Sequence, residues 1–235
     1  MSLSKVILSI SLIVSAAAIA GAQGTIVITD PTVSGKAAKL APAEQKLFDT
    51  VVLKPVKKKL LSDTCTGEVE IAGVVHGAFT APKTTQTLVF YQFCQTGNGL
   101  GRVGLAVLDH GKVAANFVED SGWSIGVEKV SDVDRNGIDE VALTYGGGMH
   151  QGSGGSGVEL IQFVSGKPVG MGFFISSSYN DTDPTTYWKV TAKPGKTPVY
   201  YRQKYLSGED EKYRRSGANT RFRLGKTNAK FEAVR

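Results

Sequence analysis

Val103-Gly-Leu-Ala-Val-Leu-Asp-His-Gly-Lys-Val-Ala-Ala-Asn-Phe-Val118 decides the fold class. Two apolar runs, 103–108 and 113–118, flank Asp109-His110-Gly111. Gly and Asp are turn formers, and Gly supplies the positive φ that a tight hairpin needs. The same pattern repeats outward. Toward the N-terminus, 87–94 reads as a strand, and Val69, Ile71 and Val75 alternate with polar or small residues. Toward the C-terminus come 127–130, 141–145 and 158–164 and, after Pro184, 187–190, 199–205, 221–224 and 231–234. Ser165-Gly166, Pro194-Gly195 and Ser207-Gly208 mark turns between runs. Many short strands joined by tight turns specify an antiparallel all-β fold. Roughly ten to twelve strands are too few for a complete propeller, which takes about four per blade and at least four blades. The count fits a sandwich, an open barrel or partial propeller-like sheets.

One helix precedes the strands. Pro42 suits a first helical position, and Glu44 suits the positive end of the helix dipole. Leu47, Phe48 and Val51 fall on one face at helical spacing, and Pro55 is expected to end or kink the segment. Lys57-Lys58-Lys59 reads as a solvated face. Residues 42–235 thus form a single β-rich domain with a short N-terminal helix, and 23–41, rich in Gly, Thr, Ser and Pro, read as a flexible leader.

Ahead of the leader, residues 1–22 have the organisation of a cleavable signal peptide. Lys5 is followed by an apolar run from 6 to 20, which ends in Ala20-Gly21-Ala22. The run is short for a membrane span, and an uncleaved anchor is the alternative. Residue 23 is Gln rather than Cys, so lipid attachment at the new terminus is not expected. Removing 22 residues from 235 leaves 213, with 26 Lys and Arg against 21 Asp and Glu, a net charge of +5. No other stretch is apolar enough to span a membrane, so the mature chain is expected to have no transmembrane segment. The charge is compatible with weak attraction to anionic cell-envelope polymers, and no nucleic-acid partner is expected from a balance this mild. The expected location is secreted, periplasmic or cell-surface. There, Cys65 and Cys94 are most simply a disulfide, with two buried free thiols as the alternative.

The motif with most chemistry is Asp132-Val-Asp134-Arg-Asn136-Gly137-Ile138-Asp139-Glu140. Oxygen side chains recur at positions one, three, five and nine, with Gly at position six and the Ile138 carbonyl at seven. Calcium takes about six to eight oxygens, and such a loop wraps them around one point. Leu143 stands where an EF-hand has its bidentate glutamate, so this is not an EF-hand. A metal-free Asx-rich turn is the alternative. From 130 to 143 the segment resembles the calcium loop of FG-GAP repeats, the integrin-type β-propeller repeats, whose pattern is D-x-D-x-[DN]-G-x-x-D before an apolar strand. The resemblance covers one copy around residues 130–164, about a blade in length, with a glycine-rich turn and a second strand at 158–164 after the loop. Glu140 stands where the family usually has Asp. It implies Asp132, Asp134, Asn136, the Ile138 carbonyl and Glu140 as calcium ligands. It also implies a mainly structural loop, with ligand binding elsewhere.

Two further pattern matches do not carry chemistry. Gly122-Trp-Ser124-Ile-Gly126 has the spacing of a nucleophile elbow but is expected between strands, where that elbow needs a helix after it. Gly152-x-Gly154-x-x-Gly157 precedes a strand rather than a helix and reads as a hairpin tip. His76, His110 and His150 are enough for one metal site, and they found a rival reading: a small secreted metalloenzyme, hydrolytic or copper-redox. The leading expectation is an exported calcium-binding β-domain with a binding or scaffolding role at the cell envelope. Its expected partners are Ca2+ and an envelope polymer or protein.

Overall fold

The computed structural model describes residues 24–33, 38–60, 65, 68–97, 100–122, 124–150, 152–181, 184–207, 210–227 and 229–234. The signal segment 1–22 and Trp123 lie outside the described residues. The fold is antiparallel β with one helical rod before most of the strands. The strands are β1 (Ile26–Thr29), β2 (Glu70–Gly77), β3 (Gln86–Gly97), β4 (Leu100–Asp109), β5 (Lys112–Gly122), β6 (Ser124–Val130), β7 (Glu140–His150), β8 (Ser153–Val164), β9 (Lys167–Tyr179), β10 (Thr185–Lys193), β11 (Val199–Ser207), β12 (Tyr213–Phe222) and β13 (Glu232–Ala233). The five-stranded sheet has the order β13-β5-β4-β3-β2, and the eight-stranded sheet runs β12-β11-β10-β9-β8-β7-β6. β1 is the eighth strand and pairs with β10.

The period of two in the sequence sorts residues between three core layers. On β3 and β4, Val89, Tyr91 and Ala106 face the helix, joined by Phe48, Val52 and Val56. Their alternates Leu88, Phe90, Leu105 and Val107 face the other sheet and meet Val141, Leu143, Ile161 and Phe163. On the far side of the eight-stranded sheet, Ala142, Val158, Leu160, Val190 and Ile28 form the third cluster. The sheet curls around this third cluster into a half-barrel. β9 holds β10 at only Ser177 and Ser178, while β1 takes the far end of β10. β2 of one sheet lies against β6 of the other. A Cβ on Gly73 would stand 2.6 Å from Val127 Cγ1, so the glycine is what permits the contact.

Several expectations are corrected. The leader is not wholly flexible: Ile26–Thr29 is β1, because Ile28 enters the half-barrel core while Val27 faces out. Pro55 does not end the helix. Helix α1 (Pro42–Leu47) passes through a π-turn, Phe48–Leu53, into α2 (Lys54–Leu60), and the wider turn accommodates a residue that has no N–H to give. β9 has no counterpart in the expected strands, and β12 starts eight residues before 221. Gly154 and Gly157 lie inside β8 rather than in a hairpin tip, whereas Gly152 is in the turn. The elbow-like Gly122 and Ser124 end β5 and begin β6, and no helix follows them among the described residues.

Cys65 and Cys94 form the disulfide, with Cα atoms 4.8 Å apart. It ties the segment after the helix to β3 at the edge of the helix-facing core. No helix among the described residues is long and apolar enough to cross a membrane.

Candidate metal centre

The acidic loop connects β6 to β7, so its two ends are fixed by a paired hairpin in which Val130 faces Glu140. Loop geometry follows from its own side chains. Asp132 Oδ1 accepts the Asn136 N–H at 2.9 Å, and its Oδ2 accepts the Gly137 N–H at 2.8 Å. Asp134 Oδ1 accepts the Asn136 N–H at 3.1 Å, and Asn136 Oδ1 accepts the Ile138 N–H at 2.7 Å. Side chains thereby cap the backbone of a tight turn that makes no ladder bonds of its own. Arg135 and Gly137 both take positive φ, 64° and 89°. Gly137 does so at little steric cost, as the sequence pattern required.

Two anchors bind this loop to the fold. Val133, between the first two aspartates, is fully buried in the half-barrel cluster, and its carbonyl accepts the Gly195 N–H at 2.9 Å. Asp139 turns away from the other acids. Its Oδ2 accepts the Ala78 N–H at 2.9 Å, its own N–H goes to the Ala78 carbonyl at 2.7 Å, and Lys129 Nζ lies 3.9 Å away. The loop therefore grips both the β10–β11 turn and the segment that follows β2.

Asp132, Asp134 and Glu140 converge. One carboxylate oxygen from each lies within 4.8 Å of the others. Oxygens sharing one calcium at about 2.4 Å can stand at most about 4.8 Å apart, so the spacing suits that ion. Glu140 is 0% exposed. Its Oε2 accepts the Val133 N–H at 2.8 Å, but its Oε1 is buried with no hydrogen-bond partner. Burial pushes the Glu140 carboxyl up to about 8; the Val133 N–H opposes the shift, and the charges of Asp134 and Asp132 add to it. Asp134 is raised as well, first by burial and further by Asp132. Tyr200 on β11 is pushed up to about 12, first by burial and then by the charges of Glu140 and Asp134. A buried carboxylate with an orphaned oxygen, facing two more carboxylates, is a donor set that a hard cation would complete.

Three of the five expected ligands are thus brought together. Asn136 sits in the same turn, with its side-chain oxygen on the Ile138 N–H and its Nδ2 donating to Asp134 Oδ2 at 3.1 Å. Ile138 follows Gly137 in the turn, and its N–H is the group that Asn136 holds. Sequence reasoning missed Val133, Asp139 and Tyr200. A valine set between two aspartates is the one visible hint that the loop has an inward side.

The histidines are placed separately. His76 on β2 has Nδ1 3.0 Å from Thr87 Oγ1, which donates to Glu44 Oε1 at 2.5 Å. His110 occupies the β4–β5 turn at φ 46°, with Nδ1 2.5 Å from Asp109 Oδ1. His150 ends β7 in the other sheet, paired with Ser153, and its side chain lies outside the described residues. Among the described residues, the group able to hold a metal contains no histidine. No family model, curated protein or solved structure matches the chain.

Proposed function

We propose that this is an exported β-domain that binds calcium in the Asp132–Glu140 loop and serves a binding or scaffolding role at the cell envelope. The observation that carries the calcium reading is the convergence of Asp132, Asp134 and buried Glu140, with Glu140 Oε1 lacking any partner. The resemblance of the loop to the FG-GAP calcium loop supports it. The Cys65–Cys94 disulfide supports a location outside the cytoplasm, since such bonds persist in oxidising compartments.

Calcium here has a structural task. It neutralises three carboxylates that otherwise repel, and it fixes a loop that joins the two sheets through Asp139 and the β10–β11 turn through Val133. Three carboxylates leave part of the shell to the Asn136 side chain, the Ile138 carbonyl or water. The expected Kd is on the order of 10⁻⁴ to 10⁻³ M, as in extracellular modules. At calcium a hundredfold above Kd, linkage adds about 2.7 kcal/mol of stability. Calorimetry and thermal melts on chelator-treated protein test this. Heat of binding with a raised Tm, and a far smaller response to magnesium, are expected. A folded protein with neither heat nor shift in Tm would show the loop to be an acidic turn.

A further inference from the structure

Residues 185–230, which span β10–β12 and the segment after them, carry a concentrated surplus of positive charge. Residues 185–230 hold twelve Lys and Arg against three Asp and Glu, a surplus of nine. The whole chain has a surplus of six, so the remainder has a deficit of three. Along β12 every residue from 213 to 221 is exposed except Ser216, which is half-buried.

Strand pairing decides which side chains share a face. Tyr187 pairs with Tyr205, and Tyr205 with Arg215. Thr191 pairs with Tyr201, and Tyr201 with Arg221. Paired residues project to the same side, so these six form two rows across three strands. The alternate residues Trp188, Val190 and Tyr200 pack into the half-barrel core. None of the six belongs to a hydrophobic cluster among the described residues. The face is therefore aromatic and cationic, and it is turned away from the core.

One buried group orders it. Gln203 is 6% exposed, and its Nε2 donates to the carbonyls of Lys204, Ser216 and Gly217 at 3.0, 3.0 and 3.1 Å. These bonds fill the irregularity where the β11–β12 register shifts between Arg202 and Lys204. Gln203 Oε1 accepts Arg215 Nε at 2.8 Å. The bond uses Nε, not the terminal guanidinium nitrogens that grip a carboxylate or phosphate. Arg215 thus stands pre-oriented on the wall of an open hollow lined by Lys189, Thr191, Gln203, Tyr205 and Asn219. Lys189 is paired with Asp30 at 2.6 Å, so the cations offered outward are the arginines.

We propose that this face binds an anionic polysaccharide. Arg215 and Arg221 take its carboxylate or phosphate groups, and the tyrosine rings lie against the apolar faces of its sugar rings. The inference names the partner of the envelope-binding role proposed above and rests on that role, but it uses none of the calcium-loop residues. Charge complementarity selects a polyanion. The aromatic geometry favours sugar over nucleic acid: Tyr187 and Tyr213 meet edge to face, 5.0 Å apart at 88°, so they make no parallel platform for successive bases.

The test is retention of the mature protein on immobilised polygalacturonate, with neutral dextran, a single-stranded DNA oligomer and phosphatidylglycerol vesicles as parallel probes. Polygalacturonate should bind, dextran should not, and affinity should fall steeply as salt rises. The double variant Arg215→Gln/Arg221→Gln should weaken binding at least about tenfold and flatten the salt slope. Tyr205→Ala should weaken it without changing that slope. The triple variant Lys57→Gln/Lys58→Gln/Lys59→Gln removes three exposed charges from α2 and should leave binding unchanged. Equal loss in the lysine and arginine variants would overturn the proposal, because net charge alone would then account for retention. Tighter binding of DNA or vesicles than of polygalacturonate would overturn it in favour of those partners, and no binding to polygalacturonate at low salt would end it. Melting with and without calcium, run on the same preparations, reads the calcium loop separately, so failure of either reading is seen without the other.

Discussion

Replacing Glu140 with glutamine removes a charge but keeps the shape of a buried acceptor. Without a cation, burial as the first cause pushes the Glu140 carboxyl up to about 8, against 4.5 for an unperturbed glutamate. Each unit of that difference is worth about 1.4 kcal/mol, so holding Glu140 ionised costs the calcium-free fold about 4 to 5 kcal/mol. The sign follows from proton uptake. The folded state holds the proton more tightly than the unfolded chain, so the contribution of this group is fully present below about pH 4.5. It is lost progressively as pH rises toward about 8. Calcium takes the ionised form, so binding near pH 7 should release about one proton, and affinity should rise with pH. Glutamine at 140 still offers an oxygen to the Val133 N–H, and its amide N–H can donate to a facing aspartate. Chelator-treated Glu140→Gln should therefore be more stable than the chelated parent near pH 8, with the difference fading toward pH ~5. Its gain in stability on adding calcium should be largely lost. Urea unfolding across that pH range, with and without calcium, measures both quantities. A chelated parent whose stability does not decline relative to the variant as pH rises would refute the electrostatic account. A variant that keeps the full calcium response would refute Glu140 as a ligand.

Thiol titration of denatured, unreduced protein should find neither Cys65 nor Cys94 free, and Cys94→Ser with Cys65→Ser should cost about 3 to 4 kcal/mol by loop-closure entropy. N-terminal sequencing of exported protein should begin at Gln23; a mature chain starting at Met1 would remove the signal-peptide reading. Phe90→Ala, at a fully buried position between the two sheets, should cost about 3 to 5 kcal/mol in urea unfolding, and a loss below about 1 kcal/mol would mean that the sheets do not depend on that contact.

The fold class was legible because its evidence is local. The alternation through 87–94 and 103–108 separates the helix-facing Val89 and Tyr91 from Leu88 and Phe90, and those are the two faces the structure uses. What stayed hidden is where tertiary contacts replace the period. β9 contains Gly170 and Gly172 and a serine run from 176 to 178, which break up the signal of its β-formers Val169, Phe173, Phe174 and Ile175. It is a strand because β8 lies on one side and, at its far end, β10 lies on the other. β1 is four residues long and acquires its role only when Ile28 reaches a core assembled from β7, β8 and β10. The course of the helix through Pro55 depended in the same way on a π-turn that no propensity announces.

The site divides along the same line. The cluster of acids was local, and the spacing of Asp132, Asp134 and Glu140 around Gly137 made its convergence readable. Coupling was not local. Asp139 reads in sequence as one more acid of the run, yet it is the residue that ties the loop to Ala78, sixty-one positions earlier. Glu140 looks like a small departure from the Asp of the FG-GAP pattern. As the first residue of β7 it is carried inside the fold, where solvent cannot meet the demand of Oε1. Had Glu140 been exposed, the three acids would be an ordinary solvated cluster, and a cation would add little. Its burial makes charge neutralisation a condition of ionising the loop while the hairpin stays paired. For that reason the loop should act on the stability of the sheets, even though its three acids span only nine residues of sequence.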